Sequence, residues 1–283
     1  MNSIFYKWCG VTFQISSQKH FVEEYDSAVF RTAPQKPDIS VILCEKSGLQ
    51  TPIGEYLGQA GEKTAWKNGD IICRQTKDRF RKKPHIVVQY KLKEASDLLC
   101  TVTEEDWIWA TRSQYLWPGL AVNQVLVHFQ TLIFHASYIA HKNKAILFVA
   151  PSGTGKSTQA ELWKKYRGAQ IINGDKVGVR IDKTIMAHGV PFSGTSGICQ
   201  NQSFPVKCII LLSQARENSV RRLLPSESLA LLAENVFLDK LVIEEWNSSL
   251  NLLIDLVSAI PVYSLACTPD ERAVETLEHI LNT

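Results

Sequence analysis

The chain has 283 residues, enough for two domains of ordinary size. With 45% apolar and 21% charged residues it has the make-up of a folded globular protein and excludes a disordered one. The net charge of +3 comes without the long basic tract of a dedicated nucleic-acid binder, and no apolar run reaches the roughly 18 to 20 residues that cross a bilayer, so neither nucleic acid nor a membrane is expected as a partner.

The seven cysteines are scattered, odd in number and without a CxxC pair, which argues against a zinc site and against a secreted disulfide framework. No basic segment followed by an apolar core opens the chain, so no signal peptide is expected and the expected compartment is the reducing cytoplasm.

From Met1 to about Arg112 short β-branched and aromatic runs alternate with turn residues: Gly10 to Ile15, Ile39 to Cys44, Asp70 to Arg74, His85 to Lys91 and Leu98 to Val102. Residues 1–113 therefore read as a smaller, mostly β N-terminal domain. Asn68-Gly69 between two such runs predicts a hairpin with a type I′ turn. The cluster Lys77, Arg79, Arg81, Lys82 and Lys83 reads as a solvated turn between strands or as a docking surface for an acidic partner.

Near Pro118-Gly119 the pattern changes. Leu120, Val122, Val125, Leu126, Phe129, Leu132 and Ile133 recur at helical spacing and predict a buried helix opening a second domain at residues 114–283. Strands at Ile133 to Ile139, Ala145 to Ala150 and Ala169 to Asn173 then alternate with a helix at Lys156 to Tyr166. Further along come a strand at Cys208 to Leu212, helices around Glu227 to Phe237 and Ser249 to Ala259, a strand at Val262 to Leu265, and a closing helix from Asp270 to Leu281 capped by Thr268. Alternating elements of this kind imply an α/β domain with helices packed on a sheet.

The chemistry concentrates at Ala150-Pro151-Ser152-Gly153-Thr154-Gly155-Lys156-Ser157-Thr158. A buried strand runs into this glycine loop and then into a helix, the context a phosphate loop requires. Gly153 and Gly155 permit the backbone to converge on phosphate oxygens, and the helix N-terminus adds positive potential. Ser152, Gly153, Thr154, Gly155, Lys156, Ser157 and Thr158 are thus the expected ATP-binding residues, with Lys156 on the β- and γ-phosphates and Ser157 on Mg²⁺. Ala150 stands where the strict pattern has glycine, a change that matters only if that position needs a positive φ. Asp175, at the end of a neighbouring strand, can hold Mg²⁺ or accept a proton, with a turn Asp after Asn173-Gly174 as the competing reading. His135 lies in an apolar strand, where a satisfied core histidine is the competing reading. Arg221 and Arg222 are either phosphate ligands or a solvated strand end.

These residues resemble the HPr kinase/phosphorylase family and its shorter relatives, whose nucleotide fold is shared with phosphoenolpyruvate carboxykinase. The resemblance spans about residues 117–283 and rests on Phe134-His135-Ala136-Ser137, the glycine loop, Ile172-Asn173-Gly174-Asp175, His188-Gly189-Val190-Pro191-Phe192-Ser193-Gly194 and the tail Pro261 to Leu265 before Pro269-Asp270. It implies His135 near the reacting phosphate, Lys156 and Ser157 on phosphates and Mg²⁺, and Asp175 in the metal and acid/base position. The family carries two adjacent aspartates where this chain has Gly174-Asp175, and its HPr-engaging segment is not found here. The expectation is an ATP- and Mg²⁺-dependent kinase that phosphorylates a hydroxyl, whether serine of a peptide, a small protein or a small molecule, with the N-terminal domain as recognition module. His135, Asp175 and Lys156 are the expected catalytic residues, and Ser157 and Asp175 the metal ligands. A nucleotide-sensing ATP-binding protein without phosphoryl transfer is the alternative, and a homo-oligomer stays open.

Overall fold

The computed structural model describes residues 1–20, 23–78, 83–237 and 240–282. Arg79, Arg81 and Lys82 of the basic cluster lie outside the described residues. The fold is mixed α/β with two large sheets, and the chain divides into two compact units, Met1–Phe129 with Leu238–Ser248, and Gln130–Phe237 with Ser249–Thr283.

The first unit holds β1 (Asn2–Trp8), β2 (Val11–Ser17), β3 (Ile39–Lys46), β4 (Glu55–Ala60), β5 (Lys63–Asn68), β6 (Ile71–Lys77), β7 (Pro84–Lys91) and β8 (Asp97–Thr103), in the order β1-β2-β3-β8-β7-β6-β5-β4. Short helices α1 (Tyr25–Ala28), α2 (Trp107–Ala110), α3 (Ser113–Gly119) and α4 (Val122–Val125) belong to the same unit. Alternate residues of β2, namely Val11, Phe13 and Ile15, face the core and are buried. Trp117 of α3 sets its ring edge-on to Tyr6, Trp8 and Phe13 at 5.3–5.4 Å, an arrangement that aromatic quadrupoles favour. Arg74, Tyr90 and Glu245 form a buried polar group: Arg74 Nε donates to Tyr90 Oη at 2.8 Å, Tyr90 Oη donates to Glu245 Oε1 at 2.7 Å, and the Arg74 guanidinium pairs with Glu245.

The β5–β6 hairpin is closed by Asn68 opposite Ile71, so its central residues are Gly69 and Asp70. Only Gly69 has a positive φ (61°), which rules out the type I′ turn expected from Asn68-Gly69. The long helix expected from Leu120 to Ile133 is also absent. Ala121 and Gln130 both take φ of 54°, confining helix to α4 and a 3₁₀ turn at Leu126–Phe129, after which the chain is already a strand. The apolar spacing there reflects burial of short elements on several sides. The change of unit falls at Phe129/Gln130, beyond the residue 114 read from composition.

In the second unit β9 (Thr131–His141), β10 (Lys144–Val149), β11 (Gln170–Asn173), β12 (Lys176–Arg180), β13 (Met186–His188), β14 (Ser203–Gln214), β15 (Ser219–Arg222) and β16 (Val262–Cys267) form the other sheet. The order is β10-β9-β12-β13-β14-β16-β15, and β10 also pairs with β14, so five strands close on themselves. Helices α5 (Lys156–Arg167), α6 (Pro225–Ala233), the part of α7 (Ile243–Ala259) from Ser249, and α8 (Glu271–Asn282) complete it. Lys156, Gln159, Ala160 and Trp163 mark the buried face of α5 at helical spacing, against a core that includes Phe148, Ile171, Ile210 and Leu277. Helix α8 is capped by Asp270, whose Oδ1 accepts from Arg272 N at 3.1 Å, and not by Thr268, whose hydroxyl turns to Asn218 and Asp270.

Candidate functional site

The buried strand β10 delivers the chain into the loop from Ala150 to Gly155, and α5 starts at Lys156. Gly153 has φ of 80° and Gly155 of 118°, and a Cβ built on either meets nothing within 4 Å. The glycines are therefore required by backbone conformation and not by crowding. Ala150 is not among the described residues with a positive φ, so alanine fits there without strain. Gln214, at the end of β14, reaches the loop carbonyls of Gly153 and Thr154 at 3.4 Å each.

Lys156 folds back over this loop, its Nζ donating to the carbonyls of Ala150 at 2.8 Å and Pro151 at 3.2 Å. Burial lowers the pKa of its ammonium, with the Asp175 charge acting in the opposite direction. Ser152, Ser157 and Thr158 are exposed at the mouth.

Asp175 stands in the turn between β11 and β12. Asn173, fully buried, builds that turn: its Oδ1 accepts from the backbone N–H of Asp175 (3.0 Å) and Lys176 (2.9 Å), while its Nδ2 donates to the carbonyls of Val190 and Phe192. One amide thus fixes both Asp175 and the segment that passes over it. Gly194 of that segment has φ of 60°, and a Cβ on it would lie 2.5 Å from the Asp175 carboxyl carbon. Gly174 is crowded in the same way, since its Cβ would lie 2.4 Å from Ser196 Oγ and 2.6 Å from Ser196 Cβ. Ser196 thereby fills the place in which a side chain at position 174 would begin.

His135 is the half-exposed member of an otherwise buried run in β9, and its Nε2 lies 3.1 Å from Asp175 Oδ1. It is not a satisfied core histidine. On the other side, Lys176 Nζ forms an ion pair with Asp175 Oδ2. Burial raises the Asp175 pKa, but the hydrogen bond from His135 and the Lys176 pair outweigh it and hold the carboxyl down at about 2. With the carboxylate ionised, His135 Nε2 donates the hydrogen bond, and in the neutral ring this leaves the lone pair on Nδ1.

A cleft of about 270 Å³ brings these groups together, lined by the loop residues Ser152, Gly153, Gly155, Lys156, Ser157 and Thr158 and by His135, Gly174, Asp175 and Ser196. Thr154 does not line it. Neither do Arg221 and Arg222, which are exposed on β15; Arg221 pairs with Glu227 at 3.1 Å. They are a solvated strand end. Lys176 and Ser196 were not singled out by sequence. Lys176 directly follows Asp175, and regular strand alternation would put neighbouring side chains on opposite faces; the turn before β12 brings them together instead.

A family model described as "SynChlorMet cassette protein ScmC" matches residues 98–282. The chain belongs to the ScmC family. The matching model is that of ScmC and not that of the HPr kinase/phosphorylase family suggested by the sequence motifs. No curated protein sequence matches this ScmC-family chain. Among solved structures it is similar to the Hpr(Ser) kinase/phosphatase from Coxiella burnetii, at 12% identity and a TM-score of 0.32, over 53% of this chain and 97% of that one.

Among the described residues no helix is long and apolar enough to cross a membrane, and no group of three or more His, Cys, Asp or Glu side chains could hold a metal ion by itself.

Proposed function

We propose that the second unit binds ATP through the Gly153–Ser157 loop and transfers its γ-phosphoryl group to a hydroxyl acceptor. The observation that carries this reading is the meeting of a glycine loop, Lys156 and a helix N-terminus with the His135–Asp175 pair in one cleft. The first unit is the proposed acceptor-recognition module, and the acceptor is serine of a peptide or small protein, or a small hydroxyl compound.

The donor set fits Mg²⁺. This ion keeps several waters and is held by one or two carboxylates together with substrate phosphates, not by an all-protein cage, and Ser157 and Asp175 offer one hydroxyl and one carboxylate. Bound there, it would neutralise charge on the phosphates. Lys156 would exchange its bonds to the Ala150 and Pro151 carbonyls for phosphate oxygens, and the first N–H groups of α5 would face the same oxygens. A carboxylate with a pKa near 2 is a weak base, so the proton of the acceptor hydroxyl goes to Nδ1 of His135 while Asp175 orients the ring through Nε2. The acceptor O–P bond forms as the bond from Pγ to the β,γ-bridging oxygen breaks, and ADP leaves.

The test incubates the full chain with γ-labelled ATP, Mg²⁺ and a panel of serine and threonine peptides, free serine and other small hydroxyl compounds. Labelled acceptor is expected, with Lys156→Ala losing most transfer and His135→Ala slower by about 10²- to 10⁴-fold, the usual worth of a general base. A second reading, a nucleotide sensor, is favoured by the single carboxylate being tied to Lys176. ATP bound but left intact across the whole panel would replace the kinase reading by the sensor.

A further inference from the structure

Lys176 has an unusual setting for a lysine beside a proposed metal-binding carboxylate. Its ammonium is paired with Asp175 Oδ2, and two aromatic rings lie near it, those of Phe192 and Phe237, with centroids 5.7 and 6.0 Å from Nζ. Only 21% of its side chain is exposed. Aromatic faces attract a cation but do not neutralise it, so Asp175 is the anion that balances this charge. Asp175 in turn has one oxygen on His135 and the other on Lys176.

A divalent ion at Asp175 would change that balance. The carboxylate would then serve two positive neighbours, and the half-buried ammonium would lie within a few ångströms of a second cation, a repulsion that low dielectric strengthens. Relief comes if Lys176 gives up Oδ2 and turns to an anion. Lys176 does not itself line the cleft but is tied to Asp175, which does, and in the proposed phosphate cleft the anion for it to reach is the phosphoryl group under transfer, whose charge is spread over its three equatorial oxygens. The lysine stem has four rotatable carbons, and no covalent tie holds it to Asp175.

We propose that Lys176 is a resident counter-cation of Asp175: it holds the place of the divalent ion in the metal-free protein, and on metal binding it becomes, beside Lys156, the second cation directed at the transferring phosphoryl group. The second half of this proposal rests on the kinase reading. The first half does not, because it concerns the carboxylate and the lysine alone.

The experiment uses the full chain without nucleotide and titrates it with Mn²⁺, read by electron paramagnetic resonance of the free ion. Lys176→Met removes the charge at similar volume, so Mn²⁺ should bind at least about tenfold more tightly than to the wild-type chain, a difference that Asp175→Asn abolishes; a tenfold change is about 1.4 kcal/mol. Lys176→Arg keeps the charge and should bind Mn²⁺ like wild type, and thermal unfolding confirms that each variant is folded. Equal Mn²⁺ affinity of folded Lys176→Met and wild type overturns the counter-cation, whether or not the wild type transfers phosphate. With an acceptor in hand, Lys176→Met should lower kcat by about 10²- to 10³-fold with the Kd of metal-free ATP unchanged, and Lys176→Arg should recover part of it. An unchanged kcat in Lys176→Met overturns the catalytic half alone.

Discussion

Asp175 shows how a single carboxylate is committed by its neighbours. It accepts from His135, pairs with Lys176 and lies under Gly194, and its pKa near 2 reflects the His135 and Lys176 contacts outweighing the cost of burial. A carboxyl whose folded-state pKa is depressed adds stability above its unfolded-state pKa and loses it as pH falls toward the folded one. The window here runs from the ordinary 3.8 down to about 2. Asp175→Asn should therefore lower unfolding free energy by about 2 kcal/mol at neutral pH, and chemical denaturation should show the gap from wild type narrowing below pH 4. A gap independent of pH would mean that Asp175 is not held by charge. At this scale the glycine loop and Asp175 stood out because each sits in a local pattern of strand, turn and helix, whereas His135, in an apolar strand, was singled out by the family resemblance. Lys176 and Ser196 were not, because their places depend on an irregular turn and on a packed crossing segment that one-dimensional spacing does not encode.

At the scale of elements, the turn at Gly174-Asp175 and the crossing segment Ser193–Gly197 fit as a pair. A side chain at position 174 would run into Ser196, and one at position 194 into Asp175. Gly174→Asp alone should destabilise the second unit by about 1–3 kcal/mol, the usual cost of overpacking, while Gly174→Asp combined with Ser196→Gly should recover most of the loss. Additive losses in that double-mutant cycle, measured by urea unfolding, would separate the two positions. Gly194→Ala should cost a similar amount, because it adds both a strained positive φ and a clash. Most strands could be read from composition because β-branched and aromatic runs are bounded by turn residues. The region from Leu120 to Ile133 misled because helical spacing of apolar residues also arises when short elements are buried on several sides, and left-handed residues such as Ala121 and Gln130 leave no mark in the pattern.

For the whole molecule, the return of residues 238–248 to the first unit could not be read from the sequence, since it depends on contacts between positions far apart in the chain. The buried Arg74–Glu245 pair is one of those contacts. Removing Glu245 takes a buried counter-charge from Arg74 in a low-dielectric interior, so Glu245→Ala should cost about 3–5 kcal/mol, whereas a surface pair such as Lys91–Glu94 should cost less than about 1 kcal/mol. Comparable losses from the two would contradict the burial argument.

Titration calorimetry of the full chain with ATP and Mg²⁺ tests most directly whether the cleft is a phosphate site. Wild-type protein should bind the nucleotide at one site, and Lys156→Met, which removes the charge now folded over the loop carbonyls, should weaken binding at least about 100-fold, or some 2.7 kcal/mol. Absence of binding by the folded wild-type chain, or equal affinity in Lys156→Met, would contradict a phosphate site there.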